Sequence, residues 1–80
     1  MSQTSRLRWL CRRGMKELDL LLINYLDNIY PSASSADQQA FESLLDMADP
    51  DLYTLVTGKT HSDDPQIVRV VEVLRRTLAG

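Results

Sequence analysis

The chain has 80 residues, 44% of them hydrophobic and 25% charged, with a single cysteine and a formal net charge of -2. That is enough for one small core and too little for a cleft between two lobes, and the composition is that of a soluble folded domain. The longest uninterrupted apolar run, Leu20 to Ile23, falls far short of the roughly 20 residues that span a bilayer, and the lone Cys11 excludes an internal disulfide or a cysteine metal cage.

The charge is segregated along the chain. Residues 1–16 hold Arg6, Arg8, Arg12, Arg13 and Lys16 with no acid, for +5; residues 17–64 hold ten acids against Lys59, for -9; residues 65–80 return +2. Such a distribution steers a partner of complementary potential. The arginines offer phosphate contacts, but the pI near 5.1 and the acidic tract directly downstream weigh against nucleic acid. Met1 to Ser5 has neither the charge nor the apolar segment of a secretory signal, and the arginines run straight into an organised turn instead of preceding it as a transit peptide. The expectation is a cytoplasmic protein with no membrane-inserted segment.

In chain order, Thr4 or Ser5 is the expected cap of a first helix in which Leu7, Leu10 and Cys11 share one face, with Trp9 off that stripe. Gly14, the only glycine in the first 57 residues, ends it, because glycine turns through positive φ at little steric cost. A second helix runs from Met15 or Lys16 to about Tyr30. Its stripe of Leu18, Leu21, Leu22, Tyr25, Leu26 and Ile29 is the strongest periodic signal, widened by Leu20 and Ile23, and Pro31 stops it. After a polar loop over 31–34, the Ser35 to Gln38 spacing of a capping box opens a third helix. That helix carries Ala40, Phe41, Leu44, Leu45 and Ala48 and ends near Met47.

Asp49-Pro50 then starts a short fourth helix, aspartate as cap and proline at the first helical position, with Leu52, Leu55 and Val56 inward and Gly58 at its close. Asp64-Pro65 repeats that start for a fifth, with Ile67, Val70, Val71, Leu74 and Leu78 as its stripe and Val68 and Val73 extending it. A strand over Val68 to Val73 would have no partner to pair with. The fold class is therefore all-α, a compact bundle of five short helices over residues 1–80 as a single domain.

Little here resembles an active site. His61 stands in a loop beside Ser62 and Asp63, and three residues adjacent in sequence do not fold onto one another as a triad. No glycine-rich phosphate loop is present to hold a dinucleotide. Cys11, on the Leu7 and Leu10 face, reads as a buried apolar side chain. What remains is the elbow Arg12-Arg13-Gly14-Met15-Lys16-Glu17. It carries cations where one helix ends and a carboxylate where the next begins, with Trp9 among arginines as a candidate interface anchor.

The run Arg6-Leu7-Arg8-Trp9-Leu10-Cys11-Arg12-Arg13-Gly14-Met15-Lys16-Glu17-Leu18-Asp19 resembles the signature of the succinate dehydrogenase assembly (flavinylation) factors, whose hallmark is Arg-Gly-x-x-Glu in a tryptophan-Cys-Arg-Arg-Gly-Met context. Asp49-Pro50-Asp51-Leu52-Tyr53 is similar to a second landmark of that family, and the short stretch before the first motif looks like a bacterial member without a transit peptide. The resemblance implies a non-enzymatic factor that binds the flavoprotein subunit of succinate dehydrogenase, and often of fumarate reductase. There it promotes covalent attachment of FAD to a histidine, holding no cofactor stably itself. By motif position it implies Arg13, Gly14 and Glu17 as the critical partner contacts, flanked by Met15, Arg6 and Trp9. Relatives described as antitoxins supply an alternative, a partner that neutralises a small membrane toxin.

Overall fold

The computed structural model describes residues 3–79. Five α-helices follow one another: α1 Gln3–Leu10, α2 Lys16–Asn28, α3 Ser35–Leu45, α4 Asp49–Val56 and α5 Pro65–Ala79, with a 3-10 turn at Tyr30–Ser32 between α2 and α3. The all-α bundle is as expected, and Val68 to Val73 is helical. α5 packs against α2, α3 and α4, while α1 lies across α2 and α3. The connection from α1 to α2 therefore sits at one end of the bundle, beside the corner that joins α3 to α4.

The periodic stripes become the core. Leu18, Leu21, Leu22, Tyr25 and Leu26 of α2 are buried against Ala40, Phe41, Leu44 and Leu45 of α3 and Leu52, Leu55 and Val56 of α4, and Val70, Val71 and Leu74 of α5 complete the cluster. Tyr25 stacks on Phe41 with ring centroids 4.5 Å apart, an offset arrangement that aromatic rings favour. Three apolar residues leave the pattern: Leu20 is 61% and Val68 37% exposed, so neither widens its buried face as expected, and Ala48, expected on the α3 stripe, lies exposed beyond the end of that helix. The expected contribution of Leu78 lies outside the described side chains.

Several boundaries differ from expectation, each for a local reason. α1 is already helical at Gln3, ahead of both Thr4 and Ser5. α2 stops at Asn28 with Ile29 as its cap, and Pro31 falls inside the 3-10 turn that replaces the expected loop. Ser34, not Ser35, caps α3, its hydroxyl accepting from the Asp37 amide at 3.2 Å. Gln38 instead reaches back to donate to the Tyr30 carbonyl at 2.7 Å. α4 begins at Asp49 with Ala48 as its cap, which leaves the Asp49 carboxylate free for a distant partner. Gly58 closes α4 as expected: its φ is 86°, and the Gly58 and Lys59 amides donate back to the Leu55 and Thr54 carbonyls, the paired bonds of a Schellman turn. Asp64 caps α5, accepting from the Gln66 amide at 2.9 Å.

Cys11 is fully buried beside Leu7. Burial pushes its thiol up from its ordinary value to about 11. The native state thus keeps a proton that the unfolded chain has lost, so the associated stability is complete below about pH 9 and disappears as pH rises towards 11. Denaturation midpoints measured from pH 8 to 10 are expected to fall through the thiol by an amount equivalent to about 1 kcal/mol, and Cys11→Ala removes that part of the slope. Tyr25 and Tyr30, also raised by burial, start from 10.0, so they add a smaller loss that is confined to the upper end of the window and persists in the alanine variant. A slope unchanged in the alanine variant would show that some other group carries it.

Candidate functional site

The elbow between α1 and α2 is built by hydrogen bonds that converge on it from three elements. α1 ends at Leu10, earlier than the Gly14 stop read from the sequence, and tightens as the Cys11 amide donates to Leu7 and Arg8 and the Arg12 amide to Trp9. Arg13 Nε donates to the Leu10 carbonyl at 3.0 Å, meeting an acceptor that the helix end leaves without an intrahelical partner. Gly14 is thus the pivot of the connection. Its φ is 78°, a region that other L-residues enter only at a cost, and a Cβ added there would meet nothing within 4 Å. Space does not demand the glycine; the backbone turn does.

One carboxylate closes the turn. Asp19, in the first turn of α2, accepts the Arg13 amide on Oδ1 at 2.8 Å and the Gly14 amide on Oδ2 at 3.1 Å. Nothing in the motif spacing singled Asp19 out; the available signal was a second acid in the first turn of α2, where an anion is favoured.

Arg13 turns inward. Its Nη1 donates to the Met47 carbonyl at 2.6 Å and to Asp49 at 3.1 Å, and its Nη2 donates to the Leu45 carbonyl. Only 11% of the side chain is exposed. The family resemblance implies a partner contact for Arg13; in the free chain its guanidinium ties the elbow to the α3–α4 corner. The physical reason is supply: the end of α3 offers unpaired carbonyls, and the planar guanidinium matches several acceptors at once. The Arg13–Asp49 pair also joins the two sequence landmarks, since Asp49 opens the Asp-Pro-Asp-Leu-Tyr segment. Within that segment Leu52 is fully buried and Tyr53 is 40% exposed.

The other site residues divide by position. Gly14 and Glu17 lie exposed on the elbow with Arg12 and Lys16, while Met15 is half-buried against the core. Arg6, Arg12, Lys16 and Glu17 make no ion pair among the described residues. Trp9 is 73% exposed, which rules out a core plug. It lines an open depression of about 400 Å3 with Leu10, Arg12, Arg13, Leu45, Asp46, Met47 and Asp49. Arg6 is exposed on α1 and is not among the lining residues. An exposed Arg8–Asp27 ion pair links α1 to α2.

A larger hollow of about 500 Å3 involves the α3–α4 corner and the loop with His61. His61 is exposed, the Ser62 hydroxyl accepts from the Asp64 amide, and among the described residues no hydrogen bond links His61, Ser62 and Asp63. Among the described residues no helix is long and apolar enough to cross a membrane.

This geometry belongs with a strong sequence kinship. Residues 5–78 match the family described as flavinator of succinate dehydrogenase. A relative from Methylococcus capsulatus, described as FAD assembly factor SdhE, is 45% identical over 75 residues, covering 94% of this chain and 90% of its own length. Relatives with the same description from Aliivibrio fischeri and Pseudomonas putida are 45% and 34% identical, covering 78% and 91% of this chain and 72% and 87% of theirs. None of the three is described as an antitoxin. By these matches across nearly its full length, the chain belongs to the succinate dehydrogenase flavinator family.

Proposed function

We propose that this chain is an assembly factor that docks its elbow onto the flavoprotein subunit of succinate dehydrogenase and promotes covalent FAD attachment there, without performing bond chemistry itself. The observation that carries the reading is the Gly14 turn: open on its outer side and hydrogen-bonded from behind, it sits next to exposed Arg12, Glu17 and Trp9. A turn without a Cβ admits a second backbone, and the exposed Glu17 offers a carboxylate for charge-assisted hydrogen bonds that fix register. In the covalent step the flavin 8α carbon loses a proton and bonds to the subunit's histidine nitrogen, which gives up its own proton, while the electron pair from the broken C–H bond passes into the flavin ring and leaves it reduced. The factor's contribution is to hold the subunit where these atoms are in near-attack contact and developing charge on the flavin is stabilised. The reading extends to the flavoprotein subunit of fumarate reductase, places the encounter in the cytoplasm, and gives the factor no stably held FAD, in keeping with its lack of a phosphate-binding loop.

The test is covalent flavin fluorescence of the denatured subunit after incubation with FAD, with and without this protein. Faster attachment in its presence is the expected result; equal rates with a folded subunit would overturn the reading. Trp9→Ala refines it. Because Trp9 is 73% exposed in the free chain, its loss is expected to leave thermal stability within about 0.5 kcal/mol. Removal of a tryptophan anchor from an interface costs about 2 kcal/mol, close to thirtyfold in Kd by calorimetry. An unchanged Kd would take Trp9 out of the contact surface.

A further inference from the structure

We infer that Asp19 is a positioning residue, which acts on the partner through the elbow it holds and not by touching the partner itself. The inference rests on the functional reading above and adds a residue to it. Asp19 is partly buried, and each of its carboxylate oxygens already accepts one backbone amide, from Arg13 at 2.8 Å and from Gly14 at 3.1 Å. Those two amides belong to the residues whose conformation defines the turn, with Gly14 at a φ of 78°.

Without the carboxylate, both amides face water on a short non-helical connection. The glycine then has little to keep it at this φ, since nothing lies within 4 Å of where its Cβ would be and glycine enters other regions as readily. The side chain of Arg13 holds the connection from the opposite direction, through Leu10, Leu45 and Met47. It leaves the Gly14 peptide free to rotate. The carboxylate is therefore the group that selects the binding-competent turn before the partner arrives. A partner that recognises only that turn has its apparent affinity reduced by the fraction of time the turn is populated.

Asp19→Ala and Asp19→Asn separate this role from a general contribution to folding. Asparagine keeps the shape and one acceptor oxygen, so it serves one amide; alanine serves neither. In the free protein, hydrogen exchange at the Arg13 and Gly14 amides, read by NMR, is expected to accelerate about tenfold in Asp19→Ala and by less in Asp19→Asn. Amides in the middle of α2 and α5 keep their protection. The Kd for the flavoprotein subunit is expected to weaken about tenfold in the alanine variant and to fall between in the asparagine variant, at a temperature where circular dichroism shows both fully helical. Unchanged exchange at Arg13 and Gly14 would overturn the positioning role. So would faster exchange with an unaltered Kd, because the turn's order would then not matter to the partner. A wild-type protein that neither binds the subunit nor speeds flavin attachment would instead overturn the functional reading, a failure read in a different sample from the exchange measurement.

Discussion

Gly14→Arg is expected to abolish acceleration of FAD attachment while leaving the helical bundle folded. The two halves of that result have separate causes. On the folding side, arginine at a φ of 78° is strained, which costs roughly 1–2 kcal/mol, a minority of the 5–15 kcal/mol that typically stabilises a domain. No steric term adds to it, because the new Cβ meets nothing within 4 Å. On the binding side, a long cationic side chain projects from the open space at Gly14, beside the exposed Arg12 and Lys16. A partner backbone is kept off the turn, and the local positive charge rises. Gly14→Ala divides the causes, since it carries the same φ strain with almost no bulk. Its activity is expected to fall between wild type and Gly14→Arg. The checks are covalent flavin fluorescence for function and circular dichroism for fold. Loss of the helical signal in Gly14→Arg would show that the glycine serves the fold, and full activity would remove the elbow from the interface.

What the sequence made legible was whatever depends on periodicity. Leu18, Leu21, Leu22, Tyr25 and Leu26 of α2 and most of the described apolar faces of α3, α4 and α5 are buried as their spacing predicts, because a helix needs an apolar face to pack, whereas Ile29 and Ile67 are half-buried and Ala48 is exposed. Cap positions slipped by a residue at α3, where two serines stand next to one another and only the backbone decides which is used, and at α4, where the helix takes in Asp49 and leaves Ala48 as a cap with no side-chain hydrogen bond. The exposure of Leu20 was not readable either: it lies off the main stripe, and whether a flank is covered depends on where neighbouring helices fall. At the site, Gly14 was readable because positive φ is a local property. The inward turn of Arg13 and the clasp of Asp19 were not, since they follow from the α3–α4 corner arriving next to the elbow, with Asp49 standing 36 positions away in the chain. Motif likeness singled out this stretch as the expected partner contact. It did not separate the residues that face outward from those that hold the stretch in place.

That separation predicts a different phenotype for Arg13→Ala, which is expected to lose stability and function together. The side chain is only 11% exposed, and its removal leaves the Leu10, Leu45 and Met47 carbonyls without their donor and Asp49 without its cation. Hydrogen bonds from a charged group contribute about 1.5–3 kcal/mol each and do not add. Partial hydration of a surface corner recovers some of the loss, so the net cost is expected to be about 3 kcal/mol. For a domain of this size each kcal/mol moves the midpoint by about 4–8 °C, and thermal melts should fall by roughly 12–24 °C. Arg13→Lys is expected to recover only part, because an ammonium is a point charge that lacks the planar fork needed to serve these spread acceptors. If the guanidinium were instead a partner contact alone, Arg13→Ala would keep the wild-type melting point and lose only binding. Temperature gives a second discrimination: cooling refolds Arg13→Ala and returns part of its ability to accelerate flavin attachment, whereas Gly14→Arg, blocked at the surface, stays inactive while fully folded.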